Sequence, residues 1–264
     1  MATFAVQGFA CIWHQSNPLN RKVRRDLPSS RRRYMRVDWG TTRDQNPMTI
    51  DDVIRKIGEI GIVPVVRAAT VEEATRAVEA ISVGGIPIVE ITMTVPNAVA
   101  VIRDVARHHG KNVLIGAGTV TTPQQADACM AAGAEFIVSP GLSLAVLSAV
   151  QGGGILAIPG ALTPTELMTA RANGARLVKI FPCGNVGGAK YLKSLKAPFP
   201  DAALIPTGGV NAANAAEFIK AGAYALGVGA DLVNAAALRE GNLAVITQAA
   251  RELVQAVKMA RSPS

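Results

Sequence analysis

The stretch Ala175-Arg-Leu-Val-Lys-Ile-Phe-Pro182 predicts a short buried strand with one charged side chain in its middle. Its apolar run is typical of a strand that is covered on both faces, and Pro182 ends it. Lys179 stands where such a strand would otherwise carry Val or Ile. Burial disfavours the charged ammonium, and a neutral amine is what Schiff-base chemistry needs. The alternative is a lysine whose stem packs on the core while its head reaches water at the strand end.

This strand is one of a series in which short apolar runs alternate with amphipathic helices. Asn173-Gly174 precedes it, and similar small dipeptides before other strands are typical of helix C-caps. The eight predicted strands are Gly61–Arg67, Ile86–Thr92, Asn112–Gly116, Glu135–Val138, Gly154–Ile158, the Lys179 strand, Ala203–Thr207 and Tyr224–Val228. The pattern predicts an α/β fold, a (β/α)8 TIM barrel in a single domain. A doubly wound open sheet is the alternative, and the even spacing of the units disfavours it.

Residues 1–48 differ in composition from the rest of the chain. They contain nine Lys or Arg against three Asp, a net charge of +6 out of +8 for all 264 residues. Their basic clusters lie among Pro, Ser and Asn without apolar periodicity, so we predict a disordered basic extension before a barrel domain at 49–264. A transit peptide and an RNA-binding arm are weaker alternatives. We expect that the natural start is Met48 and that the upstream residues are an over-extended reading of the gene.

The composition argues against several classes of protein. The chain after residue 48 carries a net charge of only +2, so we expect no nucleic-acid partner. No apolar run reaches the ~18 residues of a membrane span, so we expect no membrane partner. Cys11, Cys129 and Cys183 have neither disulfide-framework nor zinc spacing, which fits the cytoplasm.

Active sites of this fold lie at the carboxyl ends of the strands. Polar residues and prolines are predicted there at Arg67, Glu90, Thr92, Thr94, Thr119, Pro140, Pro159, Lys179 and Thr207. Two glycine-rich turns, Thr207–Asn211 and Gly227–Asp231, follow the last two strands, where this fold commonly binds phosphate. The alternative is that these glycines only make tight turns.

Seven segments then occur in order along the chain. They are Glu90–Thr94, Gly116–Val120, Ser139–Leu142, Ile158–Gly160, Thr163–Leu167, Lys179–Pro182 and Pro206–Val210. This pattern resembles the 2-keto-3-deoxy-6-phosphogluconate (KDPG) and 4-hydroxy-2-oxoglutarate aldolases, a family of class I aldolases that cleave a keto acid to pyruvate and an aldehyde. The resemblance extends from about Thr49 to the C-terminus.

The resemblance implies a role for each matching residue. Lys179 would form the Schiff base with the substrate ketone, and Glu90 would be the general acid and base. Thr119, Pro140 and Phe181 match positions that line the pyruvate pocket. The positions that would bind the substrate and its phosphate are Thr207, Gly208, Gly209, Gly229 and Ala230. It implies a small keto-acid substrate, no metal, no cofactor and a homotrimer.

Two positions depart from the family pattern. Many members have Arg where this chain has Thr94, and that Arg binds the substrate carboxylate. Arg67 closes the neighbouring strand and shares the parity of Val63 and Val65, so we expect it to replace that Arg. The alternative is a surface arginine on the loop after this strand. Where phosphate-binding members often have Ser, this chain has Ala230, which leaves open whether the keto acid is phosphorylated.

Two other functions stay open at this point. A phosphate-binding isomerase, epimerase or synthase could use the same barrel without needing Lys179. A catalytically inactive barrel that acts as an interaction protein is the third possibility, and the presence of both Glu90 and Lys179 disfavours it.

Overall fold

The structure is a computed structural model that describes residues 48–109 and 112–262. The predicted basic extension, apart from Met48, lies outside the described residues, and so does Cys11. The described residues all belong to one compact unit.

Short strands alternate with helices along the described chain, as the sequence predicts. The strands are β1 (Ile62–Val66), β2 (Ile88–Thr92), β3 (Leu114–Gly118), β4 (Phe136–Val138), β5 (Leu156–Ile158), β6 (Gly160–Ala161), β7 (Leu177–Ile180), β8 (Ala203–Pro206) and β9 (Leu226–Val228). The helices are α1 (Ile50–Ile60), α2 (Val71–Val83), α3 (Ala98–His109), α4 (Pro123–Ala131), α5 (Leu144–Gly152), α6 (Pro164–Ala172), α7 (Gly188–Lys196), α8 (Ala215–Lys220), α9 (Ala235–Glu240) and α10 (Leu243–Arg261).

All strand pairs are parallel, and the described ladders form two sheets. The larger has the order β5-β4-β3-β2-β1-β9, and the smaller has the order β6-β7-β8. Only Pro159 separates β5 from β6, and an isolated bridge between Thr207 and Gly227 connects the ends of β8 and β9. The predicted α/β fold with a parallel sheet is therefore confirmed, while the ladders do not form one continuous eight-stranded sheet.

Threonines at helix N-termini set where several helices begin. Thr49, Thr70, Thr122 and Thr163 each accept a hydrogen bond from a backbone N–H of the first turn. At α6 the bond is reciprocal, because the Glu166 carboxylate accepts from the backbone N–H of Thr163. Such capping boxes satisfy N–H groups that would otherwise lack a partner, so they end each loop sharply.

Several predicted boundaries were wrong by a few residues. The third strand was predicted at Asn112–Gly116, but β3 runs from Leu114 to Gly118 because its full-length pairing with β2 outweighs the weak strand preference of glycine. After β8, helix α8 begins only at Ala215, since side-chain hydrogen bonds of Asn211 and Asn214 hold the chain in a turn first. After β9 the chain forms two helices, α9 and α10.

No helix in the described ranges is both long enough and apolar enough to cross a membrane.

Candidate active site

Lys179 and Glu90 lie together although they belong to different sheets. Strand β7 carries Lys179, strand β2 carries Glu90, and Lys179 Nζ lies 3.9 Å from Glu90 Oε1. Only 5% of the Lys179 surface and 2% of the Glu90 surface is exposed. The lysine head therefore does not reach bulk water at the strand end, as the alternative reading of this residue required.

Burial dominates the electrostatics of Glu90. It raises the pKa of this carboxyl, and the positive charges of Lys179 and Arg67 oppose the rise without cancelling it. Within the described residues, Glu90 Oε1 accepts no hydrogen bond. The Lys179 ammonium also lies 5.2 Å from the centre of the Phe181 ring, close enough for a cation–π contact. The pair thus has an apolar wall and one carboxylate oxygen that is available to a substrate proton.

Two threonine hydroxyls connect the ends of β1 and β2. Thr92 Oγ1 donates to the backbone carbonyl of Val66 over 3.1 Å and lies 2.6 Å from Thr94 Oγ1. Because a hydroxyl has one hydrogen, Thr94 must be the donor in the second bond. Thr94 therefore offers only lone pairs to a ligand, and a substrate carboxylate would find no donor in its hydroxyl.

Arg67 follows β1 directly, at the end where Glu90 and Thr92 lie. The register pairs Val65 with Glu90, and Arg67 comes two residues after Val65, just past the last residue of β1. Its side chain is exposed, and its charge is close enough to lower the pKa of Glu90. A guanidinium at this position could meet an anionic ligand that approaches the buried pair.

Thr119 and Pro140 follow β3 and β4 at the same edge. Thr119 has a φ of +58°, a left-handed conformation that is uncommon for a β-branched residue. Such conformations concentrate at functional sites, where surrounding structure maintains them. Pro140 packs its backbone against Gly160, and Gly160 pairs with Lys179. Thr119 therefore follows the strand that pairs with the Glu90 strand, and Pro140 contacts the residue that pairs with Lys179.

The glycine turn after β8 packs against the turn after β7. Gly208 lies beside the Phe181 ring, and its carbonyl accepts from the Gly184 N–H over 2.9 Å. Gly208 and Gly209 both have positive φ, which a glycine adopts without strain. Thr207 is buried and bridges to Gly227. The Phe181 ring thus lies beside both Lys179 and the glycine turn after β8.

Gly229 and Ala230 follow β9. Gly229 is half-buried and Ala230 is exposed, and the Gly229 carbonyl accepts from the N–H groups of Leu232 and Val233. Among the described contacts, none connects either residue to Lys179 or Glu90. Their part in a site therefore remains a prediction.

Gly118, which makes room for the Glu90 carboxylate, was not among the predicted site residues. A Cβ atom at Gly118 would lie 2.5 Å from Glu90 Cδ and still closer to Oε1, so only glycine fits beside this carboxylate. The available signal was glycine at alternate positions of a strand, Gly116 and Gly118, which indicates a close approach by another group.

This arrangement can carry out one kind of chemistry in particular. A dry amine attacks a ketone readily, and the iminium that results withdraws electrons from a neighbouring carbon–carbon bond. A buried carboxylate with a raised pKa can accept a proton from the substrate and return it. Among the described residues, no three His, Cys, Asp or Glu side chains lie close enough together to hold a metal ion.

Comparison with known proteins gives a consistent result. A model of the KDPG and KHG aldolase family matches residues 51–249. The KHG/KDPG aldolase of Escherichia coli K12 is 36% identical over 75% of this chain and 92% of its own. The 2-dehydro-3-deoxy-phosphogluconate aldolase of Dickeya dadantii is 38% identical over 73% of this chain and 90% of its own.

A solved structure is similar over nearly the same range. It is the KDPG aldolase of Legionella pneumophila with pyruvate captured as a covalent carbinolamine intermediate, 32% identical with a TM-score of 0.71. It covers 76% of this chain and 97% of its own. These matches do not favour the isomerase, epimerase or synthase alternative.

Replacing Glu90 by Gln should change how stability depends on pH. The folded pKa of Glu90 lies above the unfolded value, so the folded state binds the proton more tightly and wild-type stability falls as pH rises from about 4.3 through the raised pKa. Glu90→Gln lacks this loss, so its melting temperature relative to wild type should increase across that window. Thermal melts at a series of pH values measure it.

Glu72→Gln is the matched control, because it makes the same carboxyl-to-amide change on an exposed side chain and leaves the Lys179–Glu90 pair intact. A Glu90→Gln advantage that shrinks as pH rises would contradict a raised pKa.

Proposed function

Because the chain belongs to the KDPG and KHG aldolase family, we propose that this site cleaves a 2-keto-3-deoxy acid, phosphorylated or not, or 4-hydroxy-2-oxoglutarate, into pyruvate and an aldehyde. The protein is a class I aldolase, a lyase that works through a lysine Schiff base. The observation that supports this site assignment is the buried amine of Lys179 at 3.9 Å from Glu90 Oε1.

Each step has a group to perform it. Lys179 Nζ adds to the C2 ketone to give a carbinolamine, and loss of water gives the iminium. Glu90 takes the proton of the C4 hydroxyl, directly or through water, and the C3–C4 bond breaks. The aldehyde leaves, and the bonding electrons move to the iminium to form an enamine. Protonation at C3 and hydrolysis by water then release pyruvate and the free lysine.

We assign the substrate carboxylate to Arg67. A guanidinium binds a carboxylate through two parallel hydrogen bonds, while Thr94 has already donated its only hydroxyl hydrogen to Thr92. The Thr92 bond to the Val66 carbonyl holds the backbone just before Arg67. In this proposal Thr94 contacts the substrate only as an acceptor, for example from a substrate hydroxyl.

The pyruvate half and the far half of the substrate have separate neighbours. We assign Thr119, Pro140 and Phe181 to the walls around pyruvate, which agrees with the contact between Lys179 and the Phe181 ring. We assign Thr207, Gly208, Gly209, Gly229 and Ala230 to the far end of the substrate. Backbone N–H groups in glycine turns bind phosphate or carboxylate oxygens, so the missing hydroxyl at Ala230 weakens this end without removing it.

A closed eight-stranded barrel is the fold that we propose, with β5 and β6 as one strand. Support comes from stepping from Glu90 to its partner on the next strand and onward around the sheets. To return to Glu90, the path has to move along a strand three times. These moves are four residues from Leu156 to Gly160, two from Ile205 to Thr207 and two from Val63 to Val65. Their total of eight equals the shear of a TIM barrel.

The remaining assignments follow from the family resemblance. We propose that residues 49–264 form the catalytic domain, that three copies assemble as a homotrimer and that the protein is cytoplasmic. The family model begins at residue 51, which supports the domain boundary. Large apolar side chains that a second copy could cover are exposed at Leu144, Met168 and Val186. The described Cys129 and Cys183 are free thiols, as expected in a reducing compartment.

Borohydride reduction in the presence of pyruvate tests the Schiff base directly. We expect a stable adduct on Lys179, located by mass spectrometry of the digested protein, because the reduced imine no longer hydrolyses. Lys179→Met should give no adduct, while the matched variant Lys193→Met, on the exposed surface of α7, should react like wild type. An adduct on another lysine, or none with wild type, would contradict the proposed site.

Arg67→Ala should weaken binding of the keto acid and leave the chemical step nearly intact. Losing a charged, two-point hydrogen bond costs about 2–3 kcal/mol, so KM should rise roughly 30- to 150-fold while kcat changes little. Steady-state cleavage kinetics measure both constants, with the exposed Arg55→Ala on α1 as control. An unchanged KM would remove Arg67 from the site.

A chain that begins at Met48 should keep the properties of the full-length protein. Its kcat and melting temperature should match those of the full chain, because residues 49–264 supply the proposed domain. Light scattering should give three times the chain mass in both cases, which is 27.4 kDa for the full-length chain. Loss of activity on truncation would show that the preceding residues complete the site, and a different mass would contradict the trimer.

A further inference from the structure

The space beside the Glu90 carboxylate is created by one residue of the neighbouring strand. Glu90 pairs in register with Gly116 of β3, and Thr92 pairs with Gly118. A Cβ atom at Gly118 would lie 2.6 Å from Glu90 Cγ and 2.5 Å from Cδ, and would overlap Oε1. The backbone of Glu90 pairs with Gly116, but its carboxylate therefore lies over Gly118, the next residue of β3 on the same face.

An aromatic ring fills the corresponding space over Gly116. Phe136 of β4 pairs with Gly116, and a Cβ atom at Gly116 would meet the ring. Phe136 is fully buried, so its ring cannot move aside to admit the Glu90 carboxylate at that level. The ring therefore leaves the space over Gly118 as the place for the carboxylate.

We infer that Gly118 is a positioning residue for the reaction, because its missing side chain forms the slot that fixes the Glu90 carboxylate beside the Lys179 amine. This inference rests on the proposed function, in which Glu90 moves the proton. Gly118 itself contacts no substrate; it acts only through Glu90.

The backbone at Gly118 does not by itself require glycine. Gly118 is absent from the described glycines with positive φ, and it lies within the regular ladder between β2 and β3. Alanine could therefore adopt this conformation, and its methyl group would be resisted by the Glu90 side chain. This separates Gly118 from Gly208 and Gly209, where positive φ strains any side chain.

Epistasis between Gly118 and Glu90 tests the inference. Gly118→Ala should lower kcat for keto-acid cleavage about 100-fold, the usual size of a lost general acid or base, with little change in KM. In a Glu90→Ala background the methyl group has room, so adding Gly118→Ala should change the residual rate by less than about threefold. Residual rates are measured at high enzyme concentration.

A matched control is Gly152→Ala at the end of α5, where a Cβ atom would meet nothing within 4 Å. It should leave kcat and KM as in wild type and should not lower the melting temperature. Circular dichroism and thermal melts of every variant show whether a lower rate comes from unfolding or from a displaced Glu90 carboxylate.

Each outcome decides the inference. Equal losses from Gly118→Ala in both backgrounds, or no loss in the wild-type background, would overturn it. If Gly118→Ala does not fold alone, folding of the double variant supports the slot, and failure of the double variant overturns it. Absence of a pyruvate adduct in wild type would contradict the proposed function instead, so the two failures are distinguishable.

Discussion

A buried amine and a buried carboxylate 3.9 Å apart are the constraint on which this structure depends. Each group alone would be costly to remove from water, and each reduces that cost for the other by its charge. The raised pKa of Glu90 shows that desolvation outweighs this mutual support, so the carboxyl holds its proton longer than an ordinary glutamate. A general base that also has to return a proton benefits from this balance, because its pKa lies nearer the pH at which it works.

The register of the parallel strands determines where the amine and the carboxylate lie. Gly160, Lys179 and Ile205 lie side by side across β6, β7 and β8, while Val65, Glu90 and Gly116 lie side by side across β1, β2 and β3. Parallel pairing points these neighbours to the same face. The strands therefore bring the chemistry together without a loop that has to close, and the loops are free to hold the substrate.

Much of this could be predicted from the sequence, because the decisive signals are local. A lysine in an apolar run, threonines before helices and glycines after strands each carry their meaning within a few residues, and they predicted the α/β fold. The joint role of Lys179 and Glu90 was an implication of the family resemblance. The role of Gly118 was not predictable from the sequence alone, because it depends on where the side chains of β2 and β4 go. The extent of β3 was wrong for the same reason, since cross-strand pairing outweighs the poor strand preference of Gly116 and Gly118. That the two glycine turns bind the far end of the substrate is a proposal, because no local pattern separates a turn that binds phosphate from a turn that only reverses the chain.

The catalytic candidates also lie on opposite sides of a seam. Lys179 belongs to the three-stranded sheet and Glu90 to the six-stranded sheet. The described chain joins these sheets at Pro159, at the Thr207–Gly227 bridge and through the Tyr224 N–H bond to the Leu204 carbonyl. The Lys179 N–H bond to the Pro159 carbonyl fastens one side of this seam. A slip of one residue there would turn the amine to the opposite face of the sheet, away from its carboxylate. The alignment of the two sheets therefore decides whether the two groups meet, as directly as the identity of the two side chains does.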